Sequence, residues 1–199
     1  MHNKDMKTAR MFIYNLLALL FVEEHTKQST PMIIDNLSLL SQNGFNDEVS
    51  IASSNIVNLL KNNELNHLNI EYQQLFLIPF GNPISLSASW YHNEREAGLM
   101  LIKVRDVIAK TKIRRDEALF SAPEDHFGFI FALSAYLIEE SLDDDKDSQL
   151  QKELFINVIN PFVDQLAFRL IASEKEIYQN VGVILGNFCN FERTYFGLE

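Results

Sequence analysis

The chain has 199 residues, of which 47% are hydrophobic, and this is enough to bury a substantial core. With 17 Lys and Arg against 27 Asp and Glu, its formal net charge is −10, so Coulomb repulsion opposes binding to nucleic acid or to an anionic membrane surface and favours a cationic peptide. The single cysteine, Cys189, excludes an internal disulfide and a cysteine-rich metal site, which fits a reducing compartment.

The N-terminus imitates a signal peptide without matching one. Basic residues within positions 4–10 precede the apolar run MFIYNLLALLFV at 11–22, but EEHTKQ at 23–28 is large and charged where cleavage requires small residues. The run is also well short of the roughly 20 residues that span a bilayer. We therefore expect a buried first helix, over about 5–24, in a cytoplasmic protein.

The distribution of helix breakers and apolar residues predicts an all-α protein. Only 7 Gly and 5 Pro interrupt the chain, and its apolar residues recur mostly at helical rather than alternating spacing. We expect one compact domain over residues 1–199, built as a bundle of about eight to ten helices around a central buried helix.

Start and stop signals place three more helices in the first half of the chain. Thr30 and Pro31 open the second, the third covers about 47–61, and the fourth runs from about Asn66 to PFGNP at 79–83, where proline stops it. The residues expected to face inward are Met32, Ile33, Leu37 and Leu40 in the second helix, Ile56, Leu59 and Leu60 in the third, and Leu68, Tyr72, Leu75 and Phe76 in the fourth.

A non-helical stretch is expected at about 79–92. It is unusually apolar and aromatic for a loop and ends in SASWY, so it is the best candidate for a functional loop. A fifth helix should follow it, because Asn93 and Glu96 resemble a capping box. The apolar stripe of that helix would consist of Met100, Leu101, Val104 and Ile108.

The central helix is expected after Ser121, which forms a second capping-box signal with Glu124. The residues from Phe127 to Ile138 are apolar nearly all round, as in a helix that is surrounded by others. Asp125 and His126 would then fall in the first turn of this helix.

Similar signals divide the C-terminal part of the chain. They are the acidic turn DDDKD at 143–147, Ser148 with Gln151, Asn160 with Pro161, and Ser173 with Glu176. The last helix is expected to approach a neighbour closely, because Gly182 and Gly186 carry no side chain.

The pair formed by Asp125 and His126 is the strongest candidate for a site, and its role has two interpretations. The orphan N–H groups and the positive end of the dipole at a helix N-terminus favour a carboxylate. The pair therefore either binds a cationic or hydrogen-bonding group of a ligand or only caps the helix.

Enzymatic and cofactor chemistry is not expected. The sequence contains no G-x-S-x-G elbow, no phosphate loop and no dinucleotide fingerprint. His92 and Glu96 share an i, i+4 spacing, but no HExxH motif or cysteine pair accompanies them. We predict no catalytic residue, no metal site and no cofactor.

Two motif-bearing stretches, with the C-terminal helices as further support, resemble a known family. The two stretches are EYQQLFLIPFGNPISLSASWY at 71–91 and PEDHFGFIFALSAYLIEE at 123–140, and the C-terminal segment is NPFVDQLAFRLIASEKEIYQNVGVILGNF at 160–188. They are similar to the TorD/DmsD family of redox-enzyme maturation chaperones, in which a Glu-Tyr-x-x-Leu-Phe segment precedes a proline-bearing loop and an Asp-His pair opens a buried helix. The resemblance covers about residues 66–190.

The resemblance implies an all-helical cytoplasmic chaperone, not an enzyme. It would bind the twin-arginine leader, or the precursor, of a molybdopterin-containing oxidoreductase and delay export until the cofactor is inserted. Such a protein would be a monomer or a domain-swapped dimer, without nucleic-acid binding or stable membrane insertion. Carried over by position, the leader-binding surface would consist of Tyr72, Leu75, Phe76, Trp90, Tyr91, Asp125, His126 and Phe127.

Two other classes of function stay open. The first is a helical interaction or scaffold protein that binds another partner through an apolar groove. The second is an enzyme or a nucleotide-dependent protein, since guanine-nucleotide binding has been proposed for members of the resembling family, although this sequence has no phosphate loop. The client is open as well, with formate dehydrogenase and the dimethyl sulfoxide or trimethylamine N-oxide reductases as candidates.

Overall fold

The computed structural model describes residues 3–62, 66–79, 81–143 and 148–198. Its helices are α1 (Asn3–Phe21), α2 (Glu23–Gln28), α3 (Thr30–Gln42), α4 (Asp47–Asn62), α5 (His67–Phe76), α6 (Ala88–Asn93), α7 (Leu99–Ala109), α8 (Phe127–Glu139), α9 (Gln149–Leu154), a π-helical segment (Phe155–Ile159), α10 (Val163–Ile171) and α11 (Glu176–Phe196). The predicted all-α fold is confirmed. In the described residues there are eleven α-helices, where about eight to ten were expected.

The chain divides into two compact units. The first comprises Met1–Ala18 and Leu86–Phe162, and the second comprises Leu19–Ser85 and Val163–Glu199. Helix α1 contributes residues to both units. The expectation of one domain over 1–199 stays a prediction.

The core of the first unit includes α8, the helix predicted to be central. Nine of its thirteen residues are buried, namely Phe127, Gly128, Ile130, Phe131, Leu133, Ser134, Ala135, Leu137 and Ile138. Tyr14 of α1 packs against Phe131 with ring centroids 6.2 Å apart. Burial of such large apolar side chains is the main stabilising term for this unit.

Two cations of α1 are fully buried in the first unit. The Lys7 Nζ donates a hydrogen bond of 2.8 Å to the carbonyl of Ser141, just beyond the end of α8. The Arg10 guanidinium donates to Gln151 Oε1 at 2.7 Å. The basic residues that imitate a signal peptide in the sequence therefore anchor α1 to the ends of α8 and α9.

The second unit is organised around α11, which packs against α4, α5 and α10. Residues predicted to face inward are buried, namely Ile177, Val181, Ile184, Leu185 and Phe188. Gly182 confirms the expected close approach, because a Cβ at this position would lie 2.9 Å from the Ala167 carbonyl oxygen of α10. At Gly186 the nearest atom would be the Ala167 Cβ at 3.8 Å, an ordinary contact.

The predicted first helix is interrupted at Val22. Its backbone is extended, with φ −113° and ψ 123°, so α1 ends at Phe21 and α2 starts at Glu23. The second helix, α3, begins at Thr30 with Ser29 as its N-cap, one residue before the predicted start at Pro31 with Thr30 as the cap. Met32 is 56% exposed rather than inward. Leu59 of α4 is half-buried.

The stretch at 79–92, of which Phe80 lies outside the described residues, is not wholly non-helical. Helix α6 begins within it at Ala88. The predicted capping box at Asn93 and Glu96 is wrong, because Glu94 takes a left-handed conformation with φ 56° that ends α6, and Gly98 precedes α7. The stripe Met100, Leu101, Val104 and Ile108 is buried as expected.

The two capping signals predicted in the C-terminal part have different outcomes. The capping box of Ser173 and Glu176 is wrong, because α11 begins at Glu176 with Lys175 as its N-cap, whereas the signal at Ser148 is confirmed. The Ser148 Oγ accepts a hydrogen bond from the Gln151 N–H at 3.3 Å, as a cap of α9 should. The π-helical segment ends before Asn160, and α10 starts anew at Val163, which confirms a break near Pro161. Within the acidic turn, residues 144–147 lie outside the described residues.

Candidate functional site

The eight residues predicted to form the site are divided between the two units. Tyr72, Leu75 and Phe76 lie on α5 of the second unit. The other five, which are Trp90, Tyr91, Asp125, His126 and Phe127, lie in the first unit.

The α5 group belongs to an aromatic core. Tyr72 and Phe76 meet edge to face with ring centroids 4.8 Å apart, and Phe76 meets Tyr178 of α11 at 5.1 Å. The Tyr72 hydroxyl donates to the carbonyl of Phe21 at 3.3 Å, and burial is the main reason why its pKa lies well above the usual value. These rings therefore fix the position of α5, and Leu75 beside them is buried too.

Glu71, which precedes this group, is a buried carboxylate with a structural partner. Its Oε2 accepts hydrogen bonds from the N–H groups of Ile177 at 3.0 Å and Tyr178 at 3.3 Å, in the first turn of α11. Burial raises the pKa of Glu71, whereas these hydrogen bonds and the nearby His67 act in the opposite direction. The glutamate of the Glu-Tyr-x-x-Leu-Phe segment thus caps α11 from α5.

Asp125 holds the start of α6, although it lies 36 to 38 positions further along the chain than the residues it contacts there. Its Oδ2 accepts from the Ser87 hydroxyl at 2.6 Å and from the Ser89 N–H at 3.3 Å. The backbone strengthens this contact, because the Ala88 N–H donates to the Asp125 carbonyl at 2.9 Å and the Phe127 N–H to the Leu86 carbonyl at 2.8 Å. Asp125 therefore positions α6, the helix that carries Trp90 and Tyr91.

Asp125 itself is fully buried. Its second oxygen, Oδ1, has no hydrogen-bond partner among the described residues. A buried carboxyl oxygen without a partner is costly in a protein interior. A ligand cation would satisfy Oδ1, but it would reach the atom only after a local opening of the surrounding chain.

His126 is the N-cap of α8, so the prediction that the pair lies in the first helical turn is wrong by one to two residues. Its Nδ1 accepts from the Gly128 N–H at 3.1 Å, which assigns the proton of the neutral ring to Nε2. Burial lowers the pKa of His126 to about 4, while the charge of Asp125 acts in the opposite direction. The capping box of Ser121 and Glu124 does not form, because His126 already supplies the acceptor.

The aromatic residues of the first unit continue from His126 to α6. Phe127 and Tyr91 pack edge to face at 5.9 Å, and Tyr91 meets Trp90 at 5.0 Å. Phe127 and Tyr91 are buried, whereas Trp90 and His126 are partly exposed. Trp90 and His126 are therefore the two candidate residues of this unit that keep some exposure to solvent.

Comparison with known protein families shows which family the chain belongs to. A family described as nitrate reductase delta subunit matches residues 42–167, which is 63% of the chain and includes all eight candidate residues. The chain belongs to this delta-subunit family. No curated protein matches the sequence significantly.

Delta-subunit proteins are maturation chaperones of molybdoenzymes rather than catalysts, and they act with a catalytic subunit. This confirms the resemblance to redox-enzyme maturation chaperones drawn from the two motifs. The matched range begins at the end of α3 and ends within α10, so it includes α4–α9 completely.

Two other properties of this delta-subunit chain concern membranes and metals. Among the described residues no single helix is long and apolar enough to cross a membrane, and only Gln149–Ile159 joined with Val163–Ile171 passes that test as a pair. The same residues contain no group of three or more His, Cys, Asp or Glu side chains placed to hold a metal ion. His92 lies on α6 against Phe162, with ring centroids 6.1 Å apart.

Sequence reasoning missed the role of Glu124, which was treated only as a helix cap. Its Oε2 accepts from Arg105 at 2.9 Å, and its Oε1 lies 3.6 Å from Arg115 Nε. Burial, the largest influence, raises the pKa of Glu124, but the hydrogen bond from Arg105 and the two arginine charges together lower it below the usual value. The signal available in the sequence was the adjacent pair Arg114 and Arg115 shortly before PEDH.

Proposed function

We propose that this delta-subunit protein binds the twin-arginine leader, or the precursor, of a molybdoenzyme catalytic subunit and assists its maturation before export. The single observation that carries the proposal is the arrangement at the start of α8 in a chain of this family. His126 caps α8 with a neutral imidazole, Tyr91 joins Phe127 of α8 to Trp90 of α6, and Asp125 holds the start of α6.

The ligand chemistry follows from the groups that this surface offers. The Nε2–H of His126 is a donor for a peptide carbonyl, and the Trp90 ring is an apolar and cation-binding face. A leader supplies both an apolar segment and adjacent arginines. The net charge of −10 accelerates its approach, although salt screens this attraction beyond about 8 Å at physiological ionic strength.

The α5 residues enter the proposal as positioning residues. Tyr72, Leu75 and Phe76 are buried in the second unit, so we assign them the placement of α5 rather than direct contact with a ligand. Tyr91 and Phe127 would act in the same way on α6 and α8. The proposed contact residues are accordingly Trp90, His126 and, after local opening, Asp125.

The name of the matched family adds nitrate reductase to the possible clients. Synthetic leaders of the molybdoenzymes encoded near this protein, together with a nitrate reductase catalytic subunit, are the appropriate ligands. We expect a dissociation constant in the micromolar range, about −8 kcal/mol, because ordering of the peptide offsets much of the contact energy.

Isothermal titration calorimetry tests the proposal. A leader should bind the unaltered protein, and replacement of its two arginines by lysines should weaken binding about tenfold, because lysine keeps the charge but loses the planar fork. His126→Ala should weaken binding, whereas Lys61→Ala, on α4 of the second unit, should not. Absence of binding by every leader and by the folded precursor would refute the proposal. Capture of a partner without a leader, unaffected by Asp125→Ala, would favour a scaffold protein instead.

A further inference from the structure

The segment from Arg114 to Phe120 has the same two features that characterise a leader. Adjacent arginines, Arg114 and Arg115, are followed by DEALF, which ends in apolar residues. The segment lies between α7 and α8 in the first unit. Asp116 folds it into a single turn, because its Oδ1 accepts from the Ala118 N–H at 2.9 Å and its carbonyl accepts from the Phe120 N–H at 2.9 Å.

Arg115 occupies a site made of oxygen atoms directly before Asp125. Its guanidinium donates to the carbonyls of Ser121, at 3.2 Å, and Ala122, and its Nε lies 3.6 Å from Glu124 Oε1. The Arg115 and Glu124 side chains are only 12% and 13% exposed. Its Nη2 also donates to Oε1 of Glu117, within the same segment, at 2.8 Å. The two carbonyls and the Glu124 carboxylate lie outside the segment and are what a guanidinium-binding site requires.

The fit of Arg115 in this site is incomplete. Its Nε is buried and makes no hydrogen bond to any described residue. The other oxygen of Glu124, Oε2, is engaged by Arg105 at 2.9 Å, so Arg115 lacks the paired, parallel hydrogen bonds of a full arginine–carboxylate fork. A guanidinium that satisfied its Nε–H would bind here more favourably than the resident one.

Phe120 places the apolar end of the same segment on His126. The two rings meet edge to face at 5.3 Å, and Phe120 also meets Phe129 of α8 at 5.8 Å. The arginine and the aromatic ring of one short segment thus cover the start of α8. This is the surface to which the proposed function assigns the leader.

We propose that Glu124 with the carbonyls of Ser121 and Ala122 forms a guanidinium-binding site, which Arg115 fills in the free protein and an arginine of the client's leader takes over. The proposal rests on the proposed function and specifies where one leader arginine binds. Displacement of Arg115 and Phe120 uncovers His126 for the apolar part of the leader. Only molecules in which the segment is displaced can bind the leader. The apparent association constant is therefore the intrinsic one multiplied by the fraction of such molecules.

A substitution at Arg115 distinguishes two roles of this residue, competition with a leader arginine for the site and a purely structural role in the loop. Arg115→Gln should bind a leader about fivefold more tightly than the unaltered protein, because the competitor is removed. Arg95→Gln, an exposed change of equal charge in the same unit, controls for the more negative net charge. Glu124→Gln should weaken binding and reduce the preference for an Arg-Arg over a Lys-Lys leader. Unchanged or weaker binding by Arg115→Gln would overturn the proposal.

Hydrogen exchange on the unaltered protein gives a second readout that needs no variant. Leader binding should accelerate exchange of the amides in 115–121, although a bound ligand ordinarily slows exchange. Slower or unchanged exchange there, with leader bound, would show that Arg115 is not displaced. That outcome would contradict the guanidinium-binding site but not the proposed function. Absence of leader binding to the unaltered protein would refute both.

Discussion

His126 is neutral at physiological pH because burial at the start of α8 disfavours its charged form and holds its pKa at about 4. The neutral ring is also what the cap requires, since Nδ1 accepts the Gly128 N–H. Protonation would remove this acceptor and place a cation at the positive end of the helix dipole. One residue thus combines a structural acceptor, Nδ1, with a donor, Nε2–H, to which the proposed function assigns a peptide carbonyl.

This coupling predicts a pH-dependent stability. Between pH 6.5, the usual pKa, and about 4, the unfolded chain binds a proton at His126 that the folded chain does not. The free energy of unfolding should therefore fall by about 2 to 3 kcal/mol as the pH is lowered through this window. Urea denaturation at several pH values would measure the loss.

His126→Asn is the matched control for that measurement. Asparagine retains a side-chain oxygen that can cap α8, but it does not titrate. Its free energy of unfolding should depend less on pH than that of the unaltered protein between pH 6.5 and 4. Parallel pH profiles for the two proteins would contradict the assignment of the shift to His126.

At the scale of elements, the packing of α10 on α11 predicts opposite effects of one substitution at two neighbouring glycines. Gly182→Ala would place a Cβ 2.9 Å from the Ala167 carbonyl oxygen and 2.9 Å from Ile171 Cγ1. We expect a loss of about 1 to 3 kcal/mol from this overpacking. In Gly186→Ala the new Cβ would lie 3.8 Å from the Ala167 Cβ, an ordinary contact. The free energy of unfolding should therefore rise by up to about 1 kcal/mol, because alanine has the higher helix propensity. Thermal denaturation of both variants would test the difference, and equal shifts would contradict it.

The attachment of α5 to α11 through Glu71 predicts a graded loss of stability. Glu71→Ala leaves the buried N–H groups of Ile177 and Tyr178 without an acceptor, which should cost about 2 to 3 kcal/mol. Glu71→Gln keeps one oxygen acceptor and should cost less. Chemical denaturation would rank the variants, with Glu176→Ala in the first turn of α11 as a mildly destabilising control. A larger loss in Glu71→Gln than in Glu71→Ala would contradict this role.

These elements differ in how far the sequence could predict them. The apolar run of α8 and the stripe of α7 follow from local periodicity, which is why they were placed correctly. Helix α6 was missed because its start depends on Asp125, far along the chain, rather than on a local cap. The break at Val22 was missed because an apolar, β-branched residue gives no stop signal within an apolar run.

For the whole molecule, the same reasoning explains which site residues were predictable. Motif resemblance pointed to candidate residues at the start of α8, but it could not show which of them are buried, since burial depends on packing between distant segments. It also gave no role to Glu124 or Arg115, whose contact joins one end of a loop to the other. Five of the eight predicted residues lie in the first unit and three in the second.

The central claim is that a twin-arginine leader binds at the surface of Trp90 and His126. Trp90 is the only tryptophan in the chain, so its fluorescence reports on that surface directly. Titration with a leader that lacks tryptophan should give a saturable change in emission, with the same dissociation constant as calorimetry. Binding that calorimetry detects without any change in Trp90 emission, or no binding by any molybdoenzyme leader, would contradict the account.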